Sequence, residues 1–78
     1  MNNLSKQLIE IATNYLGPAG ERFITRQVTS HLEGGITLET LAPEHLPELS
    51  KWVGVSAALL LTDPAKVTAF VEEVKAAT

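Results

Sequence analysis

The sequence predicts an all-α fold: a compact bundle of four main helices, with one or two short helical turns between the second and third. Three observations carry this. Apolar residues recur at intervals of three and four in four separate segments, the spacing that puts them on one face of a helix. Pro18, Pro47 and Pro64 each open one of those segments, where a missing N–H costs nothing and a fixed φ suits the first turn. The breaks between segments are short and rich in Gly or Pro, which favours antiparallel or sharply crossed neighbours.

In the first segment Leu4, Leu8, Ile11, Ala12, Tyr15 and Leu16 form one stripe, with Lys6 and Glu10 on the opposite face. Asn3 or Ser5 is the expected N-cap. Gly17-Pro18 then turns the chain abruptly. Ala19, Phe23, Ile24, Val28 and Leu32 make the second stripe, and Arg22 and Arg26 share a solvated line four residues apart. Gly34-Gly35 is the expected helix stop, one glycine taking the left-handed position after the last turn, with Ile36 folding back. Residues 37–42 read either as a short turn capped by Thr37 or as extended chain, the turn being favoured.

Pro43–Leu46 is expected to form a tight turn, and Pro47 to start the third main helix. Its line is Leu49, Val53, Ser56 and Leu60, flanked by Trp52 and Leu59. Asp63 is the expected cap of the last helix, Pro64 its first residue. Val67, Phe70, Val71 and Val74 face inward there, and Glu72, Glu73 and Lys75 face water.

At 78 residues the chain makes one domain, residues 1–78, and it has no cysteine. Disulfides, thiolate metal cages and thiol nucleophiles are therefore excluded. With 45% apolar residues but only four aromatics, the core is expected to be mainly Leu, Val, Ile and Ala. The net charge is −3 and unevenly placed. Residues 1–32 sum to +1, residues 33–50 carry four glutamates and no cation, and residues 51–78 balance. Without a basic run the chain lacks the charge that binding to a phosphate backbone needs, so nucleic acid is not an expected partner. The opening residues lack an apolar signal core. The most apolar run, Trp52–Leu61, is half the length of a membrane span. The expectation is a cytoplasmic protein with no membrane partner.

No catalytic, cofactor or metal residues are assigned. His45 and Glu48, with Glu44, give His-x-x-Glu on a single element, where two-metal carboxylate bundles use Glu-x-x-His on facing helices. Ser30 and His31 are adjacent on a helix and point apart, which no nucleophile–base pair tolerates. Gly54, Ser56, Ala57 and Ala58 cluster small side chains in the third helix. Gly54 costs about 1 kcal/mol relative to Ala, so a close backbone approach should offset it. That approach is either an internal helix crossing or a self-association seam centred on Gly54 and Ala58. Trp52 reads as a packing residue at the core edge or as a partner contact. Arg22, Arg26 and Trp52 are the candidate partner-binding residues, because Trp and Arg are enriched at binding hot spots.

Leu8–Ala12, Tyr15-Leu16-Gly17-Pro18-Ala19 and the Phe23–Val28 helix together resemble a small helical bacterial domain of unknown function. That domain is found at the ends of signalling proteins: serine/threonine kinases, forkhead-associated proteins and nucleotide cyclases. The resemblance spans residues 4–32. The chain departs from the pattern at Gly20 and Glu21, where small apolar residues are usual, and in the Pro-Glu-His-Leu-Pro segment. The resemblance implies an adaptor or regulatory role and carries no catalytic residue across. The functional expectation is a non-enzymatic module that binds another protein, or a second copy of itself. The alternative is a small apolar-ligand binder with a cavity above about 300 Å³ between its helices.

Overall fold

Asn2 starts the first helix from outside it. In the computed structural model, which describes residues 2–77, Asn2 caps α1 (Asn3–Leu16) and its Oδ1 accepts from the Ser5 N–H at 2.8 Å. The expected caps, Asn3 and Ser5, both lie inside the first turn. Ser5 is buried and occupied elsewhere, its Oγ donating to the Leu38 carbonyl at 2.6 Å. The Asn2 amide donates to the carbonyls of Leu41 at 2.8 Å and Glu39 at 3.3 Å. One residue therefore caps a helix and pins a loop about forty positions away.

Leu4, Leu8 and Ala12 of α1 are buried, and Ile11, Tyr15 and Leu16 half-buried. The corner follows at Gly17, whose φ of +65° side chains avoid. Gly17–Ala19 form a 3-10 turn that runs without interruption into α2 (Gly20–His31). Instead of four separate helices, the helical residues fall in three contiguous stretches, 3–31, 43–57 and 64–76, the first of them bent at Gly17, with no strand among the described residues. The corner is held from the other side by Gly20, which is buried. A Cβ there would lie 2.5 Å from the Thr13 backbone nitrogen, so only glycine lets the two backbones meet. Ala19, expected in the second stripe, is exposed, because the tighter 3-10 turn changes the phase of the helix.

Phe23, Ile24 and Val28 bury the inner face of α2. The helix stops at His31 rather than at the glycines, since Leu32 is extended (φ −89°, ψ 134°) and turns into the core. Gly34 and Gly35, at φ of +86° and +69°, instead build the reversal that follows. Residues 37–41 form the expected turn. The N–H groups of Thr40 and Leu41 both donate to the Thr37 carbonyl, at 3.1 and 2.9 Å, and Thr37 Oγ1 accepts from the Glu39 N–H at 3.2 Å.

A 3-10 turn at Pro43–His45 leads directly into α3 (Leu46–Ala57), with Pro47 in its first turn. Leu46, Leu49, Val53 and Ala57 are buried. The sequence period continues through Leu60, but the helix does not. The N–H groups of Leu60 and Leu61 close on the Ala57 carbonyl at 3.0 and 2.8 Å, and this turn leaves Leu59 84% and Leu60 60% exposed. Both leucines, expected on or beside the third stripe, are surface residues. Asp63 caps α4 (Pro64–Ala76) as expected, Oδ1 accepting from the Ala65 N–H at 2.9 Å.

The helices pack as two pairs, α1 with α2 and α3 with α4, joined by contacts of α1 with α4 and α2 with α3. Phe70 of α4 stands fully buried where they meet. Tyr15 stacks on it at 4.9 Å and 8°, and Phe23 leans against it at 5.7 Å and 39°. The Tyr15 hydroxyl donates to the Glu73 carboxylate. That hydrogen bond, then burial and the nearby negative charge, raise the phenol above its ordinary pKa. Gly54 meets α4: a Cβ there would lie 3.2 Å from Val71 Cγ2. The close approach served by Gly54 is thus an internal crossing, and Ala58, just past the helix end, is exposed. The reason for a self-association seam at Gly54 and Ala58 falls away.

The two glycines and Tyr15 each have an expected outcome. Gly20→Ala should lose about 1–3 kcal/mol, because its neighbour is backbone and cannot move aside. Gly54→Ala should stay within about 1 kcal/mol of wild type, its better helix propensity offsetting a movable valine methyl; urea unfolding followed by circular dichroism compares them. Tyr15 is the only tyrosine, so phenolate absorbance reads it alone. Its midpoint should lie above the ordinary value near 10 and fall in Glu73→Gln. Because the folded phenol holds its proton more tightly, its contribution to stability is complete below the unfolded pKa. That contribution should drain away as the pH rises from the unfolded value through the raised folded value.

Candidate functional site

The most structured surface of the protein is the seam between α2 and α3. The two helices run antiparallel, as three paired contacts show. Near one end Phe23 and Leu60 line a common notch with Arg22 and Arg26. In the middle, Ser56 Oγ donates to Gln27 Oε1 at 3.0 Å. At the other end the His31 ring stacks on Trp52 at 4.1 Å and 7°. Gln27 is only 3% exposed, so this bond satisfies a polar group that would otherwise be costly to bury. It also explains Ser56 in an otherwise apolar line.

The ends of the seam differ in charge. At the α2 N-terminus the notch, about 150 Å³, lies between the exposed Arg22 and Arg26 and the exposed Leu60. Among the described residues neither guanidinium has a carboxylate within ion-pair distance. At the opposite end a groove of about 460 Å³ gathers His31, Glu33, Glu44, His45, Glu48 and Trp52. Trp52 is half-buried and its indole N–H donates to Glu48 Oε1 at 3.0 Å. His45 is turned back to the chain, its Nδ1 accepting from the Ala42 N–H at 2.9 Å.

The candidate residues Arg22, Arg26 and Trp52 thus lie on one surface, the arginines at one end and the indole at the other. The structure does not bring Gly54 or Ala58 into it. Ser30 and His31 point apart, His31 to Trp52 and Ser30 into a furrow on the outer side of α2. Among the described residues no three His, Cys, Asp or Glu side chains come together as a metal site, and no helix is long and apolar enough to cross a membrane. That outer furrow, about 530 Å³, is lined by exposed or half-buried residues, Pro18, Glu21, Thr25 and Thr29 together with Arg22 and Arg26, which border both it and the seam. A second furrow, about 500 Å³, lies between the end of α3 and the start of α4 and is lined by residues such as Leu59, Leu61, Pro64 and Val67.

Sequence reasoning missed Gln27, Ser56 and His31 as partners across the seam. A signal existed: Gln27 and His31, like Trp52 and Ser56, are four residues apart, so an antiparallel pairing aligns both couples at once. Leu59 and Leu60 were hidden by a period that outlasts the helix. No family model matches the chain, and no curated protein or solved structure was found similar to it.

Removing the imidazole should uncover the indole. In His31→Ala the fluorescence of Trp52, the sole tryptophan, should shift to longer wavelength and become more open to acrylamide quenching. The loss of stability should be about 0.5–1.5 kcal/mol, the scale of a ring pair. Unchanged quenching would remove His31 as the residue that covers it.

Proposed function

We propose that the protein is a non-enzymatic protein–protein interaction module, a regulatory adaptor that works through the α2–α3 face. One observation carries the reading: Leu60 is exposed in a notch with Arg22 and Arg26, which have no ion-pair partner among the described residues, and its chain neighbour Leu59 is exposed as well. Exposed leucines gain nothing from the fold and lose their hydration cost only when something covers them. Arginine beside apolar surface is the composition that binding centres favour. The resemblance read in the sequence of residues 4–32 is the ground for placing the adaptor in signalling. A cysteine-free chain suits the reducing cytoplasm. The scaffold we infer is a bundle in which all four amphipathic segments are needed to hold α2 and α3 side by side.

The test is comparative capture from the native cell extract. Wild type should retain a defined protein that is lost with Leu59→Ser/Leu60→Ser and with Arg22→Ala/Arg26→Ala. All of these side chains are exposed, so circular dichroism should show the fold unchanged. Identical retained sets for wild type and both variants would overturn the reading.

A further inference from the structure

We infer that residues 42–45, the turn that leads into α3, form a pH-sensitive latch: neutral His45 closes it, and protonation of the imidazole releases it. The inference stands apart from the adaptor reading and needs no partner. Two reciprocal bonds make the turn. The His45 N–H donates to the Ala42 carbonyl at 2.9 Å, and the Ala42 N–H donates to His45 Nδ1, also at 2.9 Å. In the common form of this motif a Glu or Gln at the third helical position reaches back to the N–H of the capping residue. Here an imidazole takes that place, and an ordinary imidazole changes charge between about pH 5 and 8.

Nδ1 accepts only through its lone pair, so the bond requires a neutral ring with its proton on Nε2. An imidazolium carries an N–H on both nitrogens, and two donors would then face each other across the turn. The charged ring has other partners close by. His45 is half-buried and lines one groove with Glu33, Glu44 and Glu48. Glu48 already holds the Trp52 indole through one oxygen and has a second to offer. A carboxylate bonds best to the charged ring, whereas the backbone N–H bonds only to the neutral one. The proton therefore selects the partner.

Other charged groups surround the turn. His31 of α2 lines the same groove, its ring stacked on Trp52. Lys75 of α4 lines a hollow on the far side with Pro43, Leu46 and Pro47. Glu39 precedes the turn in its loop, and Lys51 follows Glu48 by about one turn of α3. The release is local because both flanks are anchored. Leu41 and Leu46 are buried, and the Asn2 amide holds the Leu41 carbonyl at 2.8 Å. Acid therefore frees the Ala42 N–H and loosens the entry to α3 without dismantling the core. The sign is definite: the bond contributes above the imidazole range and is lost as the pH falls through it.

Nuclear magnetic resonance of the 78-residue chain, titrated from about pH 8 to about pH 5, tests the latch. At the alkaline end the ring nitrogens of His45 should report a proton on Nε2. As the pH falls, the Ala42 amide signal should move with the same midpoint as the His45 ring. Its hydrogen-exchange protection, corrected for the intrinsic rate, should drop about three- to tenfold, the scale of one net hydrogen bond. His45→Gln keeps an acceptor that does not titrate, so its Ala42 amide should stay protected and unmoved. His31→Ala should leave the Ala42 response in place.

A His45 proton on Nδ1 at the alkaline end overturns the proposal. So does an Ala42 amide whose signal and protection stay flat across the range, or whose midpoint differs from that of the His45 ring. A response that persists in His45→Gln, or that disappears in a folded His31→Ala, overturns it as well. The wild-type readings are decisive even where circular dichroism shows a variant misfolded.

Discussion

Contact between the backbones of Gly20 and Thr13 is the constraint on which the other packing depends. It draws α2 against α1 within a few residues of the corner, so the inner faces of both helices open toward the same side. Gly17 supplies the positive φ that reverses the chain, and Pro18 sets the first turn after it. With that wedge fixed, Phe70 has one place to go. It enters between Tyr15 and Phe23, and α4 brings α3 with it. A core with few aromatics is thus organised around three of them, placed where the helix pairs meet.

Much of this was legible in the chain, and the failures have physical causes. Asp63-Pro64 and Gly17-Pro18 act through local sterics and local hydrogen bonds, so they read correctly in isolation. The apolar stripes of the first and last helices likewise follow from period alone, and so does that of the second from Phe23 onward. Asn2 was missed as a cap because Asn3 and Ser5 offer the same local chemistry, and only the fold shows Ser5 claimed by a carbonyl 33 residues away. Gly54 and Gly20 look alike in sequence, two glycines inside helices. Only the fold shows that one meets a movable methyl and the other a rigid backbone.

The candidate surface was legible in parts that the sequence could not join. Arg22, Arg26 and Trp52 are conspicuous as residue types, but their relation depends on the antiparallel register of α2 and α3. That register is written in Gln27 and Ser56, neither of which attracts notice alone. Exposed charges of this kind contribute little to folding, since solvent screens them and their side chains keep their freedom. Where they stand, they cost the fold almost nothing.

The tie from Asn2 and Ser5 to residues 38–41 also has a consequence for how the chain is made. As it leaves the ribosome, α1 emerges with its inward hydroxyl and its capping amide still bonded to water. Those groups find their final partners only after the loop has followed some forty residues later. The leading edge of α1 therefore stays solvated while the residues up to Leu41 are still being added.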